Sequence, residues 1–199
     1  AKWSSRRWYQ TNNKYFINLN METRNKIIKK KDTNVLMYGK MQPQAPDLEV
    51  VVLGAMMLEP QCINQVMAII PKPECLYVDA HQRILASIYR LRNKNVSAHF
   101  MAVCNDLREN NELEMVGGSF FVTKLTQDVV SSSGIEHDAR IVMQKYMMRE
   151  LINIAGNAIN EAYKDATDCF ELIDSSLNNI SELLSQGTKN KVSNLQESI

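Results

Sequence analysis

The side chains best suited to chemistry in this sequence are three histidines, four cysteines and a set of seven glycines. His81, His99 and His137 fall on separate predicted helices, and none sits in an HExxH run or in a local cluster with carboxylates. The expectation is that His81 is a packed helix residue with satisfied ring nitrogens, while His99 and His137 face solvent. Cys62, Cys75, Cys104 and Cys169 lie far apart, with no CxxC pair and no histidine at finger spacing, so neither a zinc site nor a disulfide framework is indicated. Reduced cysteines packed in a core are the expected state. A phosphate loop needs glycine amides wrapped around the anion, then Lys and a hydroxyl residue opening a helix. Gly39-Lys40 lacks the following Ser or Thr, and Gly117-Gly118 runs into Ser119-Phe120 rather than Lys. No Ser, Cys or Lys stands in a nucleophile motif. The predicted catalytic, cofactor and metal sets are therefore empty, which moves attention to the chain's surfaces.

The elements that form those surfaces are predicted to be helical. Only 7 Gly and 5 Pro occur in 199 residues, and 45% hydrophobic residues are enough for a proper core. The fold class expected is all-α. No apolar run approaches the roughly 20 residues that cross a bilayer, and the start has no signal-peptide core, so a cytoplasmic protein is expected. A net charge of +1 hides an asymmetry: residues 1–42 hold 10 Lys/Arg against Glu22 and Asp32, leaving 13 basic and 20 acidic residues for the rest. The folded part is acidic, and nothing in its charge marks a phosphate-binding face.

Four regions follow along the chain. Residues 1–42 read as a poorly ordered basic arm, with 1–20 as upstream or added sequence ahead of a natural start at Met21 and Lys26 to Lys31 as a solvated tail. Residues 43–134 read as a globular helical subdomain, residues 135–185 as a helical hairpin, and residues 186–199 as the start of a linker. Within the subdomain, Pro46 opens a helix to Leu58 with Asp47 and Glu49 at its positive end. Further helices are predicted from about Gln61 to Ile70, from Asp79 to Arg92, from a Ser97 cap to Asn110, and from a Ser119 cap through Leu125. The glycines Gly117 and Gly118 permit a sharp chain reversal between the last two. The serines Ser131 to Ser133 punctuate the chain before the hairpin.

The hairpin has more apolar surface than one helix pair can cover. Its second arm repeats Phe170, Ile173, Leu177, Ile180 and Leu184 at steps of three and four or their sum, one stripe of a helix. Its first arm is apolar along two rows: Met143, Met147, Leu151, Ile154 and Ala158, and beside it Met148, Ile152, Ala155, Ile159 and Tyr163. Asp168 followed by Glu171 has the spacing of a capping box opening the second arm. A subunit contact is expected, with Met147, Leu151 and Ile154 at the centre of the outer row.

Several motifs resemble the N-terminal domain of DnaB-type replicative DNA helicases. PDLEVVVLGAMML at Pro46 to Leu58 matches the family's opening through Glu49, Leu53 and Gly54. Leu76-Tyr77 with His81 and Ile84 is similar to the family's aromatic-Tyr, His, Ile series, and LRENNELEMVGG at Leu107 to Gly118 to its Leu-Glu, Gly-Gly pattern. The similarity continues through Leu125, Ile135, Ala139, Ile141-Val142 and Arg149 over about residues 43–186. The chain departs from the pattern at His99, where the family has Asp, at Ala102, where it has Thr, and at Val129-Val130, which lacks a Pro. Ser97 is expected to replace the missing cap.

The resemblance implies that Glu49, Leu53, Gly54, Tyr77, His81, Gly117, Gly118 and Arg149 are structural. It implies a collar domain in a hexameric helicase built from dimer pairs, which receives the primase C-terminal domain and a helicase loader. DNA, ATP and Mg would be handled by a motor domain beyond Ile199, the fragment itself having no enzymatic role, in a bacterial cytoplasmic, nucleoid-associated protein. The alternatives are the helicase-binding domain of a primase, an unrelated helical dimerisation adaptor, and a small DNA-binding protein using the basic arm.

Overall fold

The structure is a computed structural model that describes residues 36–37, 40–127, 134–164 and 168–196, without the side chains of 36–37 and 188–196. The predicted basic arm up to residue 35, the Val129-Val130 departure, the serines 131–133 and the end of the hairpin turn at 165–167 lie outside these residues. Two units are distinguished, Ala1–Gln42 and Pro43–Ile199. In the first, β1 (Leu36–Met37) pairs antiparallel with β2 (Lys40–Met41), Leu36 opposite Met41 and Met37 opposite Lys40. These four residues are thus paired within the stretch read as a poorly ordered arm. The two-residue separation of the strands is the spacing of a tight hairpin.

The second unit is all-α. Its first helix, α1 (Pro46–Leu58), has Pro in its first turn and acidic Asp47 and Glu49 at the amino end. Val52, Leu53, Ala55 and Met56 are almost wholly buried, so the apolar run surrounds the helix rather than striping it, as expected of a central helix. Around it stand α2 (Cys62–Ile69), α3 (Asp79–Asn93), α4 (Phe100–Glu109), α5 (Gly118–Gln127) and the long α6 (Ile135–Ala162). α1 packs on α2, α3, α5 and α6, while α4 packs on α3 and α5. Pro71 and Pro73 end α2 and lead into a 3-10 turn at Pro73–Cys75.

Local geometry agrees with the turn chemistry and corrects one cap. Gly117 and Gly118 have φ of +97° and +76°, so the reversal before α5 uses backbone that L side chains rarely adopt. At α4 it is His99, not Ser97, that caps: its Nδ1 accepts from the Ala102 amide at 3.2 Å. The imidazole thus stands where the family pattern has a carboxylate, and its neutral nitrogen supplies the same acceptor. Asp168 caps the last helix, α7 (Cys169–Gln196), accepting from the Phe170 amide at 2.8 Å and the Glu171 amide at 3.4 Å. The helix continues to Gln196, so the residues read as the start of a linker are helical that far. Polar residues stop hydrophobic burial, but without Pro they do not stop a helix.

α6 and α7 form the hairpin. Along α6 the residues Ile135, Ala139, Val142, Met143, Tyr146 and Arg149 are buried, and beyond Arg149 only Gly156 is. The amino-terminal half of α6 is thus a core helix. Its remaining turns, roughly 20 Å at 1.5 Å per residue, carry the hairpin onward.

Candidate functional site

Two surfaces organise the folded unit, a buried polar knot and an exposed apolar stripe. The knot begins at Glu49, which is 1% exposed and held on the first turns of α1. Its Oε1 accepts from the Tyr77 amide at 2.6 Å, and its Oε2 from the Val78 amide at 3.3 Å. The same Oε2 lies 2.7 Å from His81 Nδ1, close enough for a charge-assisted hydrogen bond. A buried carboxylate is tolerable only with such partners. His81 is therefore the satisfied core histidine that its spacing suggested. Its ring stacks on Phe121, centroids 6.0 Å apart, and a Cβ at Gly117 would meet the Phe121 Cβ at 3.3 Å. The glycine turn thus places the aromatic ring that covers the histidine.

Arg149 reaches the same region from α6 and is 7% exposed. It donates to the carbonyl of Pro43 at 2.9 Å and that of Cys75 at 2.7 Å. Its guanidinium stands 5.5 Å from the Tyr77 ring centre and 5.8 Å from that of Tyr146. Burial pulls this guanidinium below its ordinary value, partly offset by the charge of Glu49. Lys72 lies over the other side of the cluster, 5.2 Å from the Tyr146 ring. Burial pushes the Cys75 thiol up to about 11, which leaves an inert core thiol rather than a nucleophile. Leu53 and Gly54 are buried on α1 beside Glu49. Motifs spread over a hundred residues of sequence therefore form one fold-holding cluster.

The hairpin's apolar rows separate into an inner and an outer one. Met143 lies in the core and Met147 is partly buried against it, and a Cβ at Gly187 of α7 would meet the Met147 Cε at 2.7 Å. This corrects the prediction that the row centred on Met147 faces outward. Ile154 is half-buried, and of that row's three central residues only Leu151 is exposed. The row beside it supplies the outer face, through Met148, Ile159 and Tyr163. On α7 the side turned to α6 is Leu172, Ser176, Ile180, Leu183 and Gly187, half-buried or buried. Phe170 is 80% exposed and Leu177 60%, with Ile173 and Leu184 also exposed. Ile180 alone of the predicted stripe turns partly inward. Periodicity found both rows but could not orient them, because it carries no information about which row meets the core.

A third cluster lies at the subdomain's edge, with Asp106 buried and its partners partly exposed. Arg90 bridges Asp106 at 2.7 Å and Glu112 at 2.8 Å, and Arg83 joins Glu112 to Asp79. Burial raises the Asp106 carboxyl, but hydrogen bonding from Arg90 and the Lys94 charge outweigh it and hold the carboxyl below its ordinary value. A shallow cleft between the α1–α2 turn and the start of α6 is lined by Glu59, Cys62, Glu136, His137 and Arg140. Among the described residues no group of three or more His, Cys, Asp or Glu side chains is placed to hold a metal ion, and no helix is long and apolar enough to cross a membrane.

The DnaB-like helicase N-terminal domain model matches residues 41–144, just over half of the chain. The chain belongs to the DnaB-like helicase N-terminal domain family. It is 38% identical over 136 residues to the replicative DNA helicase DnaB of Rhodothermus marinus, and 28% identical over 148 residues to that of Geobacillus stearothermophilus. These alignments take in 68% and 74% of this chain but 14% and 32% of those proteins, so the chain spans a third or less of their length. The N-terminal domain of DnaB helicase from Mycobacterium tuberculosis superimposes with a TM-score of 0.67 at 25% identity, over 71% of this chain and 99% of that one. A DnaB-like replicative helicase described with its primase interactions shares the fold, with a TM-score of 0.57 at 24% identity over 78% of this chain and 35% of that one. The matched segment takes in the motifs around Glu49, Tyr77, His81 and Gly117, while Arg149 lies beyond it. Membership in the family does not favour the primase-domain or unrelated-adaptor alternatives. Sequence reasoning missed Phe121, Tyr146 and the Pro43 carbonyl as partners of those residues. An arginine continuing the apolar row of Ile135, Ala139, Val142 and Tyr146 was the available signal.

Proposed function

We propose that this chain is the assembly and partner-binding domain of a bacterial replicative DNA helicase. ATP and Mg belong to a motor carried by the rest of that protein, and this domain does not hydrolyse ATP. The observation that carries the reading is the exposed stripe of Leu151, Ile159, Phe170, Ile173, Leu177 and Leu184 on a domain of the DnaB family. Each such side chain gains roughly 1.5–3 kcal/mol when fully covered, so the hairpin is built to be covered. Hairpins of two copies cover each other, and the resulting dimers close a hexameric collar. The collar offers a docking face to the C-terminal domain of primase and to a helicase loader; the primase interactions described for the DnaB-like neighbour support the first of these partners. Such a protein works in the bacterial cytoplasm, at the nucleoid.

The test is light scattering on the purified chain. The parent should be a dimer or higher oligomer, and Ile173→Asp with Leu177→Asp should yield a monomer of unchanged helical circular dichroism. An oligomer that survives both substitutions, or a parent that is monomeric at any concentration, rejects the assembly role. Capture of the cognate primase C-terminal domain tests the partner separately.

A further inference from the structure

We propose that Arg149 is a latch that sets the angle of the hairpin on the globular helices and ties that angle to the segment entering at Pro43. Beyond this residue only Gly156 of α6 is buried, so it stands where the helix leaves the core. Its Nη1 donates to the Pro43 carbonyl and its Nη2 to the Cys75 carbonyl, which belong to separate parts of the chain. One side chain thus holds the hairpin's root, the 3-10 turn and the residues just ahead of α1.

The chemistry makes both carbonyls necessary to this contact. A guanidinium 7% exposed has given up its water, and in return it has two neutral carbonyls and the faces of Tyr77 and Tyr146. Among the described residues no carboxylate lies within ion-pair distance of it. Withdrawing either carbonyl leaves a charged N–H group buried and unpaired, an arrangement relieved only when the side chain swings to water. Residues 43–45 belong to no helix or strand, so the guanidinium supplies a tether that secondary structure does not. Linkage then requires reciprocity: loosening the entry segment loosens the hairpin, and the reverse. Arg149 is buried on the core side of α6 while the stripe faces solvent, so failure of the latch leaves the assembly role standing.

The full chain offers a natural probe, because Cys169 at the start of α7 is exposed while Cys62, Cys75 and Cys104 are buried. Spin labels on Cys169 and on Ala68→Cys of α2, in labelled chain diluted with unlabelled chain, report the hairpin's angle as an intramolecular distance distribution. Arg149→Met should broaden that distribution and raise amide exchange over residues 43–50 by about tenfold. Arg149→Lys, which reaches one carbonyl at a time, should fall between. Pro43→Gly keeps the guanidinium but loosens its acceptor, and should broaden the hairpin distances as well. Leu107→Ala on α4, fully buried and away from the latch groups, is the control for general loss of stability. The proposal is overturned if Arg149→Met leaves the distribution narrow, if Pro43→Gly does so, or if Leu107→Ala broadens it equally.

Discussion

The globular end of this domain and its hairpin invert the ordinary rule of burial in opposite senses. Around Glu49, charged groups are buried where apolar ones would be simpler; along the hairpin, large apolar groups face solvent where charges would be simpler. The first inversion is resolved inside the chain, since Glu49, His81 and Arg149 each find hydrogen-bond partners there. The second has no resolution among the described residues. A hairpin of two helices covers one row on each, and Met148, Leu151, Ile173 and Leu177 belong to the uncovered rows. Buried charge of this kind fixes one arrangement of the elements, whereas exposed apolar surface calls for a second molecule.

Breaking the knot should have the largest effect. Glu49→Ala strands the Tyr77 and Val78 amides and the His81 ring nitrogen, and should cost about 3–5 kcal/mol of unfolding free energy in urea. A cost below about 1 kcal/mol would show that the buried carboxylate holds nothing together. Next comes the same truncation made once in each region. Leu53→Ala, at a fully buried site, should cost about 2–5 kcal/mol. Leu177→Ala should cost within about 0.5 kcal/mol when measured on monomer, and more as concentration rises and apparent stability includes association. Equal costs on monomer would erase the contrast between the regions.

The smallest effect concerns Asp106, whose carboxyl is held below its ordinary value in the folded state. A group of that kind adds stability above its unfolded value, near 3.8, and loses it as pH falls through the lower folded value. Asp106→Asn should therefore cost about 1 kcal/mol at pH 7 and nothing once the parent carboxyl is protonated, below the folded value. Urea titrations at both pH values check the sign. A penalty that persists unchanged in acid would assign the residue a packing role instead.

Local rules made much of the domain legible. Pro46 and the acidic first turn announce α1, Asp168 announces α7, and Gly117-Gly118 announces the reversal, because each depends on backbone chemistry within a few residues. Failures came where two local rules compete or where a partner is distant. Ser97 was the cap expected for α4, but the helix begins after His99 and the imidazole accepts instead. The polar run after Ser185 suggested a linker, yet nothing in it breaks a helix.

Helical periods and caps thus settled that this chain is helical, where most helices begin, and that its hairpin carries one apolar row too many. Tertiary packing alone decided that Met143 and Met147 turn inward while Leu151, Ile173 and Leu177 remain outside. It also decided that Glu49, His81 and Arg149, far apart in sequence, share one buried cluster. The reason is that periodicity is a property of one helix, whereas the direction of a row and the partner of a charge depend on what other elements bring to within a few ångströms.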